Sequence, residues 1–199
     1  MKHLLKIVCH LLFFCWVLTP GYSKNVTKLD YIYDPGQLKP VDSQLKVAPG
    51  DPAPEFSLPS IGGHRIALHQ FQGTKNVVLS FVPAAWTPVC SDQWPGYNIA
   101  KKIFDEHNAV LLGITVDNIP TLHAWTTQMG TLWFDVLSDF WPHGGVASAY
   151  GILRSDGTAE RALIFIDLRG VITKVIVEDI NVRPELEDVV VGLKTLDSH

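Results

Sequence analysis

The sequence predicts an α/β domain: a central mixed β-sheet flanked by α-helices and entered through an N-terminal β-hairpin. Three observations predict it. NVVLSFV and AVLLGITVD are continuous apolar runs with a helical pattern between them, the signature of strands buried on both faces. RALIFID and VITKVIV flank the turn DLRG, which reads as an antiparallel pair added to that sheet. Finally, Leu186, Val189, Val190, Leu193 and Leu196 fall on one helical stripe, so the chain ends in an amphipathic helix.

Taken in order, the 199-residue chain begins with Lys2 and Lys6, an apolar run IVCHLLFFCWVL, and small residues at Gly21 and Ser23. This is the pattern of a secretory signal peptide over residues 1–23. As a helix, the run from Ile7 to Leu18 would rise only about 18 Å, against roughly 30 Å of bilayer hydrocarbon. The expectation is an exported protein cleaved after Ser23, with an uncleaved N-terminal anchor as the alternative. Residues 24–54 carry Pro35, Pro40, Pro49, Pro52 and Pro54 with few apolar clusters. They predict an extended arm, residues 24–47, laid on a domain spanning 48–199.

FSLPSIGGHRIAL reads as a hairpin turning at Gly62 and Gly63. NVVLSFV, AVLLGITVD and LWFDVL follow as strands separated by helical patterns. Between the first two, Pro95 should kink or interrupt the helix that follows PAAWTPVC, because proline cannot donate to the carbonyl of Ser91. A helix delayed to Gly96 is the other reading; Ile99, Ile103 and Phe104 favour a kinked helix with a continuing apolar face. Pro184 is expected at the first position of the last helix. Trp133 and Trp141 are expected in the core. Strand, helix, strand, helix, hairpin and terminal helix is the order of a thioredoxin-like fold.

Charge and cysteine content narrow the function. The formal charge of −4 becomes −6 without Lys2 and Lys6, so nothing in it favours nucleic acid or an anionic membrane as partner. Loss of residues 1–23 also removes Cys9 and Cys15 and leaves Cys90 alone in 176 residues. One cysteine cannot form a disulfide within its own chain. It is an inert buried residue, an accidental surface thiol, or a working one. In open α/β sheets ligands meet the loops at the carboxyl ends of strands, and PAAWTPVC is such a loop. Cys90 would open the next helix, where unpaired backbone N–H groups and the helix dipole suit an anion. The histidines show no HExxH and no paired cysteine spacing, so no metal is expected.

Pro83, Thr87 and Cys90 match the PxxxTxxC signature of peroxiredoxins, the alkyl hydroperoxide reductase and thiol-specific antioxidant family, which the chain resembles from about Leu45 onward. LSDFWPHG and YGILRSDGTAERALIFID are similar to members that rely on one cysteine. Two features depart from the pattern. Gln93 stands where the family often has glutamate, and the second, resolving cysteine is missing.

The resemblance implies a cofactor-free thiol peroxidase in which Cys90 attacks a hydroperoxide and becomes sulfenic acid. It implies that Thr87 orients the peroxide, Pro83 shapes the pocket and Arg161, at the start of a late strand, polarises the substrate. Trp86 and Trp125 would be apolar pocket walls, although core packing is the commoner fate of tryptophan. It further implies an external thiol reductant, a thioredoxin-like protein or a small thiol, and a homodimer. The edge strand VITKVIV could be covered by a second copy or by the arm. Two other readings stand beside this one. A disulfide reductase would need a CxxC pair, whereas the chain reads Cys90-Ser91-Asp92-Gln93. An exported thioredoxin-fold binding or chaperone protein would use Cys90 only for packing.

Overall fold

Five strands in the order β5-β4-β3-β6-β7 form the sheet that carries the molecule in the computed structural model, which describes residues 31–198. The proposed signal or anchor segment lies outside the described residues. Strands β3 (Asn76–Phe81), β4 (Ala109–Thr115) and β5 (Asp135–Ser138) are parallel. β6 (Arg161–Ile166) and β7 (Ile172–Glu178) run antiparallel as a hairpin turning at Gly170. A separate antiparallel pair, β1 (Ser57–Pro59) and β2 (Arg65–Ala67), forms the N-terminal hairpin, with Leu58 opposite Ile66.

All six residues of β3 and of β6 are buried, which explains why their sequences are continuous apolar runs rather than alternating ones. Alternation sorts their side chains into two cores. Val77, Leu79 and Phe81 join Ile164 and Ile166 on one face, under the β1–β2 hairpin and helix α4 (Gly145–Tyr150). Val78, Leu163 and Phe165 face the other way. There they meet α1 (Pro88–Ile99), α2 (Lys101–Glu106), α3 (Ile119–Met129) and α5 (Leu186–Lys194).

Helix α1 runs through Pro95 without a break, and the interruption comes at Ala100, between α1 and α2. Its buried residues are Cys90, Gln93, Trp94 and Tyr97, spaced at 0, 3, 4 and 7 along one stripe. The apolar face expected through Ile99 is corrected: Ile99 is 89% exposed, because Gln93 and Tyr97 occupy the inward stripe instead. Gly113 lets α1 lie close on the sheet, since a Cβ there would stand 2.7 Å from the ring of Trp94.

Three further expectations are corrected. β5 begins at Asp135, and Trp133 lies ahead of it, its indole N–H donating to the Tyr97 carbonyl (3.2 Å). Trp141 is 82% exposed rather than core, on the loop between β5 and α4. Helix α5 starts at Leu186 with Glu185 as its cap, which leaves Pro184 before the helix.

The lead segment is extended and docks largely through polar groups, with Val47 and Ala53 packing against the core beneath it. Gly50 and Ala53 donate backbone N–H groups to Ile172 and Gly170, covering the start of the β7 edge. Farther back, Asp42 donates its N–H to Glu160 (2.6 Å), while its carboxylate accepts from Lys39 and from Ser155.

Candidate active site

β3 ends at Phe81, and the loop Val82–Thr87 leads to α1, where Thr87 is the cap, Pro88 the first helical residue and Cys90 the third. Proline is suited to that position because its missing N–H would have had no helical partner. The loop is pinned twice. Ala85 donates its N–H to Asp117 (2.8 Å), which also accepts from the Thr115 hydroxyl (2.7 Å). Trp86 adopts a left-handed backbone (φ 63°), and its carbonyl accepts from Tyr33 of the arm (2.7 Å). A large residue in that region is strained and persists only where its surroundings hold it.

Because β6 is antiparallel to β3, its first residue falls beside the end of β3, with Phe81 opposite Ala162. That register delivers Arg161 to Cys90 across 71 positions of sequence. Cys90 is fully buried and Arg161 is 1% exposed. Arg161 Nη2 lies 3.5 Å from Cys90 Sγ and donates to the Ile180 carbonyl (2.9 Å). Its Nε also donates to Ile180 (3.2 Å), and Nη1 donates to Gln93 Oε1 (2.6 Å). One of the five guanidinium N–H groups is left over. Among the described residues these partners include no carboxylate, so the ionisable side chain in contact with this buried cation is Cys90.

Gln93 is itself held, its amide nitrogen donating to Ser80 Oγ (3.3 Å), which also accepts from Trp94 Nε1 (3.1 Å). Ser80 thereby fixes which end of the Gln93 amide faces Arg161. Neither Ser80 nor the Ile180 carbonyl was singled out from sequence. The signal for the first was available, a lone hydroxyl inside the apolar run NVVLSFV. Ser80→Ala would orphan two buried donors and is expected to cost about 2–6 kcal/mol, at 1–3 kcal/mol for each orphaned group. Denaturant unfolding checks it, and a change under about 0.5 kcal/mol, the usual range for surface substitutions, would remove Ser80 from the network.

A cavity of about 650 Å³ opens beside these groups. Pro83, Thr87, Val89 and Arg161 line its floor, while Tyr33 to Leu38 of the arm and Ile180 also line it. Thr87 donates its hydroxyl proton to the Ala84 carbonyl (3.1 Å), which leaves its lone pairs as acceptors. The structure thus puts Pro83, Thr87 and Arg161 on the cavity lining, with Cys90, fully buried and not itself part of that lining, in contact with Arg161 behind it. It does not bring Trp86 and Trp125 to this cavity. They line a separate crevice of about 10 Å³ with Ile32 and Ser91. The left-handed turn packs the Trp86 ring near Tyr31 (6.1 Å between centroids), and Trp125 is core, its ring tilted against Trp94 at 5.0 Å.

A thioredoxin-like sheet carrying one buried cysteine at a helix start, with an arginine on it and a cavity alongside, defines a thiol-based oxidoreductase. Residues 49–175 match the AhpC/TSA family, and the chain belongs to it. Its relatives include alkyl hydroperoxide reductase E of Mycobacterium tuberculosis, 36% identical over 124 residues covering 62% of this chain and 80% of that one. Peroxiredoxin TSA1-B of Candida albicans is 31% identical over 147 residues, covering 69% of this chain and 74% of that one. The reduced 2-Cys peroxiredoxin of Plasmodium vivax superposes with a TM-score of 0.71 at 26% identity, over 75% of this chain and 82% of that one.

Proposed function

We propose that the protein is an exported thiol peroxidase that reduces hydrogen peroxide and organic hydroperoxides through Cys90 and is recycled by an external thiol. Family membership supports peroxidase chemistry in general. The observation that carries the assignment of Cys90 is its contact with the buried, carboxylate-free Arg161 at the floor of the cavity.

The Cys90 thiolate attacks one peroxide oxygen, forming the S–O bond as the O–O bond breaks. The departing oxygen takes a proton and leaves as water or an alcohol, and Cys90 becomes sulfenic acid. Ionisation alone is a small part of the rate. A free thiol near pKa 8.5 is already about 3% thiolate at pH 7, so full ionisation gains only about thirtyfold, and reduced nucleophilicity returns much of that. Fixed donors must therefore stabilise charge on the departing oxygen. The spare N–H of Arg161 is suited to that oxygen, the lone pairs of Thr87 to the O–H of the peroxide, and Pro83 to shielding the sulfur.

Turnover then needs thiols from outside. One thiol displaces hydroxide from the sulfenic acid as water, giving a mixed disulfide, and a second opens it to regenerate Cys90. The signal-peptide pattern of residues 1–23 supports a site of action outside the cytoplasm, which would favour a thioredoxin-like protein of that compartment over a small thiol such as glutathione. A homodimer is the proposed assembly.

Mixed with peroxide and no reductant, the protein is expected to consume about one peroxide per chain and to accumulate a sulfenic acid that dimedone traps. Peroxide assay and intact mass check this, with Cys90→Ser as the blank. No peroxide loss would leave a binding or chaperone protein in which Cys90 only packs. A quantitative disulfide between two Cys90 side chains would defeat the external-thiol cycle.

A further inference from the structure

The outer wall of the cavity comes from residues that precede the family match at 49–175. Tyr33 to Leu38 line it, and the arm that carries them is fastened at points that adjoin the reactive groups. Tyr33 donates its N–H to the carbonyl of Trp86, the residue before Thr87. The Leu38 N–H donates to Asn181 Oδ1 (2.9 Å) and its carbonyl accepts from Asn181 Nδ2 (2.8 Å), a closed pair next to Ile180, whose carbonyl holds Arg161. Pro40 accepts from the Ile180 N–H (3.0 Å), and Lys39 accepts from Arg154 (2.9 Å). The Asp42 N–H bonds to Glu160, the residue before Arg161. The same segments that position the guanidinium therefore position the wall opposite it.

The size of this open-mouthed space decides what the wall is for. A water molecule takes about 30 Å³ of liquid, and hydrogen peroxide is only one oxygen larger, whereas cavities of about 300–1,000 Å³ hold drug-sized organic ligands. Hydrogen peroxide bound beside Arg161 and Thr87 would fill only a small part of a space of about 650 Å³. A hydroperoxide with a bulky carbon portion would fill the gap, its apolar part between Pro83, Val89 and Ile180 on one side and the arm on the other.

Resting on the peroxidase reading above, we propose that Tyr33 and Leu38 are specificity-determining residues: the arm segment Tyr33–Leu38 grips the carbon portion of organic hydroperoxides and leaves hydrogen peroxide untouched. The carbon portion gains apolar contact in the transition state that hydrogen peroxide cannot make, so the arm raises the rate for one substrate and not the other.

The test uses the pre-reduced full chain and stopped-flow tryptophan fluorescence, with cumene hydroperoxide and hydrogen peroxide as the two probes. Tyr33 is 71% exposed and Leu38 is tied by its backbone, so Tyr33→Ala/Leu38→Ala retains the fastening of the arm. The double variant is expected to react about tenfold more slowly with cumene hydroperoxide, the scale of lost apolar pocket contacts, and within about twofold of wild type with hydrogen peroxide. Asn181→Ala, which opens the Leu38 clasp, should shift the same ratio in the same direction. Equal losses on both probes, or no change in the ratio for either variant, would overturn the wall. Those results would leave the peroxidase reading standing. A wild-type protein inert to both probes would overturn the peroxidase reading, and the wall with it.

Discussion

Arg161→Ala is expected to slow oxidation of the reduced protein by peroxide by about a hundredfold or more, the scale of losing a donor that stabilises developing charge. Four interactions leave with the guanidinium: the contact to Cys90 Sγ, two hydrogen bonds to Ile180 and one to Gln93 Oε1. Two possible roles of the guanidinium, promoting the thiolate and carrying charge on the departing oxygen, separate by pH. If Arg161 only promotes the thiolate, raising the pH would restore the rate in full. If it also carries charge on the departing oxygen, a large deficit persists when Cys90 is fully ionised. Stopped-flow rates across pH, with alkylation of Cys90 followed in parallel, distinguish them. Arg161→Lys is expected to recover little, because one ammonium cannot reproduce the planar fork that meets Cys90, Gln93 and Ile180 together. Full recovery at high pH would reduce Arg161 to a residue that positions and ionises the thiol.

Glu160→Ala is expected to give the largest loss of stability, about 3 kcal/mol or more. Arg154 and Glu160 form a buried pair at 2.6 Å, with side-chain exposures of 3% and 0%. Removing the carboxylate strands a buried guanidinium whose remaining acidic neighbour, Asp156, lies 3.7 Å away. It also removes the acceptor for the Asp42 N–H, so the arm loses a fastening at the same time. Chemical denaturation of the full chain measures the effect. A loss below about 1 kcal/mol, the range of exposed pairs, would mean water reaches the pair. Arg154→Met/Glu160→Leu should be far milder than the single change, since a buried pair replaced whole by apolar residues leaves no stranded charge.

The parts of this molecule readable from sequence are those whose causes are local. NVVLSFV and RALIFID announce buried strands because every residue of β3 and β6 faces a core. Pro83, Thr87 and Cys90 lie within eight positions of one another, so a strand-to-helix loop presents them together whatever the rest of the chain does. Arg161 was reachable through the family resemblance alone, and the antiparallel pairing of β6 with β3 is the physical reason that it returns to the loop. Ile180 was not, since it acts through a carbonyl that every residue possesses. Ser80 stood out as a lone hydroxyl in an apolar run, but its partners depend on the phase of β3 against α1, which no local pattern encodes. Trp86, a pocket wall only by the family resemblance, lies elsewhere because its left-handed backbone turns the side chain to a separate crevice. The proline-rich arm reads as a surface lead because it is held by carbonyls and amides, which leave no hydrophobic period to detect.

The Asp42 fastening has a consequence for acidity. The Lys39 ammonium, and after it the Ser155 hydroxyl and N–H, hold the Asp42 carboxyl well below its ordinary value near 3.8. A carboxylate whose folded-state value is depressed contributes its full stabilisation above the unfolded value and loses it only as pH falls through the folded one. Protons therefore compete for this fastening only in strong acid. From mildly acidic to alkaline media Asp42 takes up no proton, and its hold on the arm stays constant. Mild acidification therefore leaves this contact holding the arm beside the cavity.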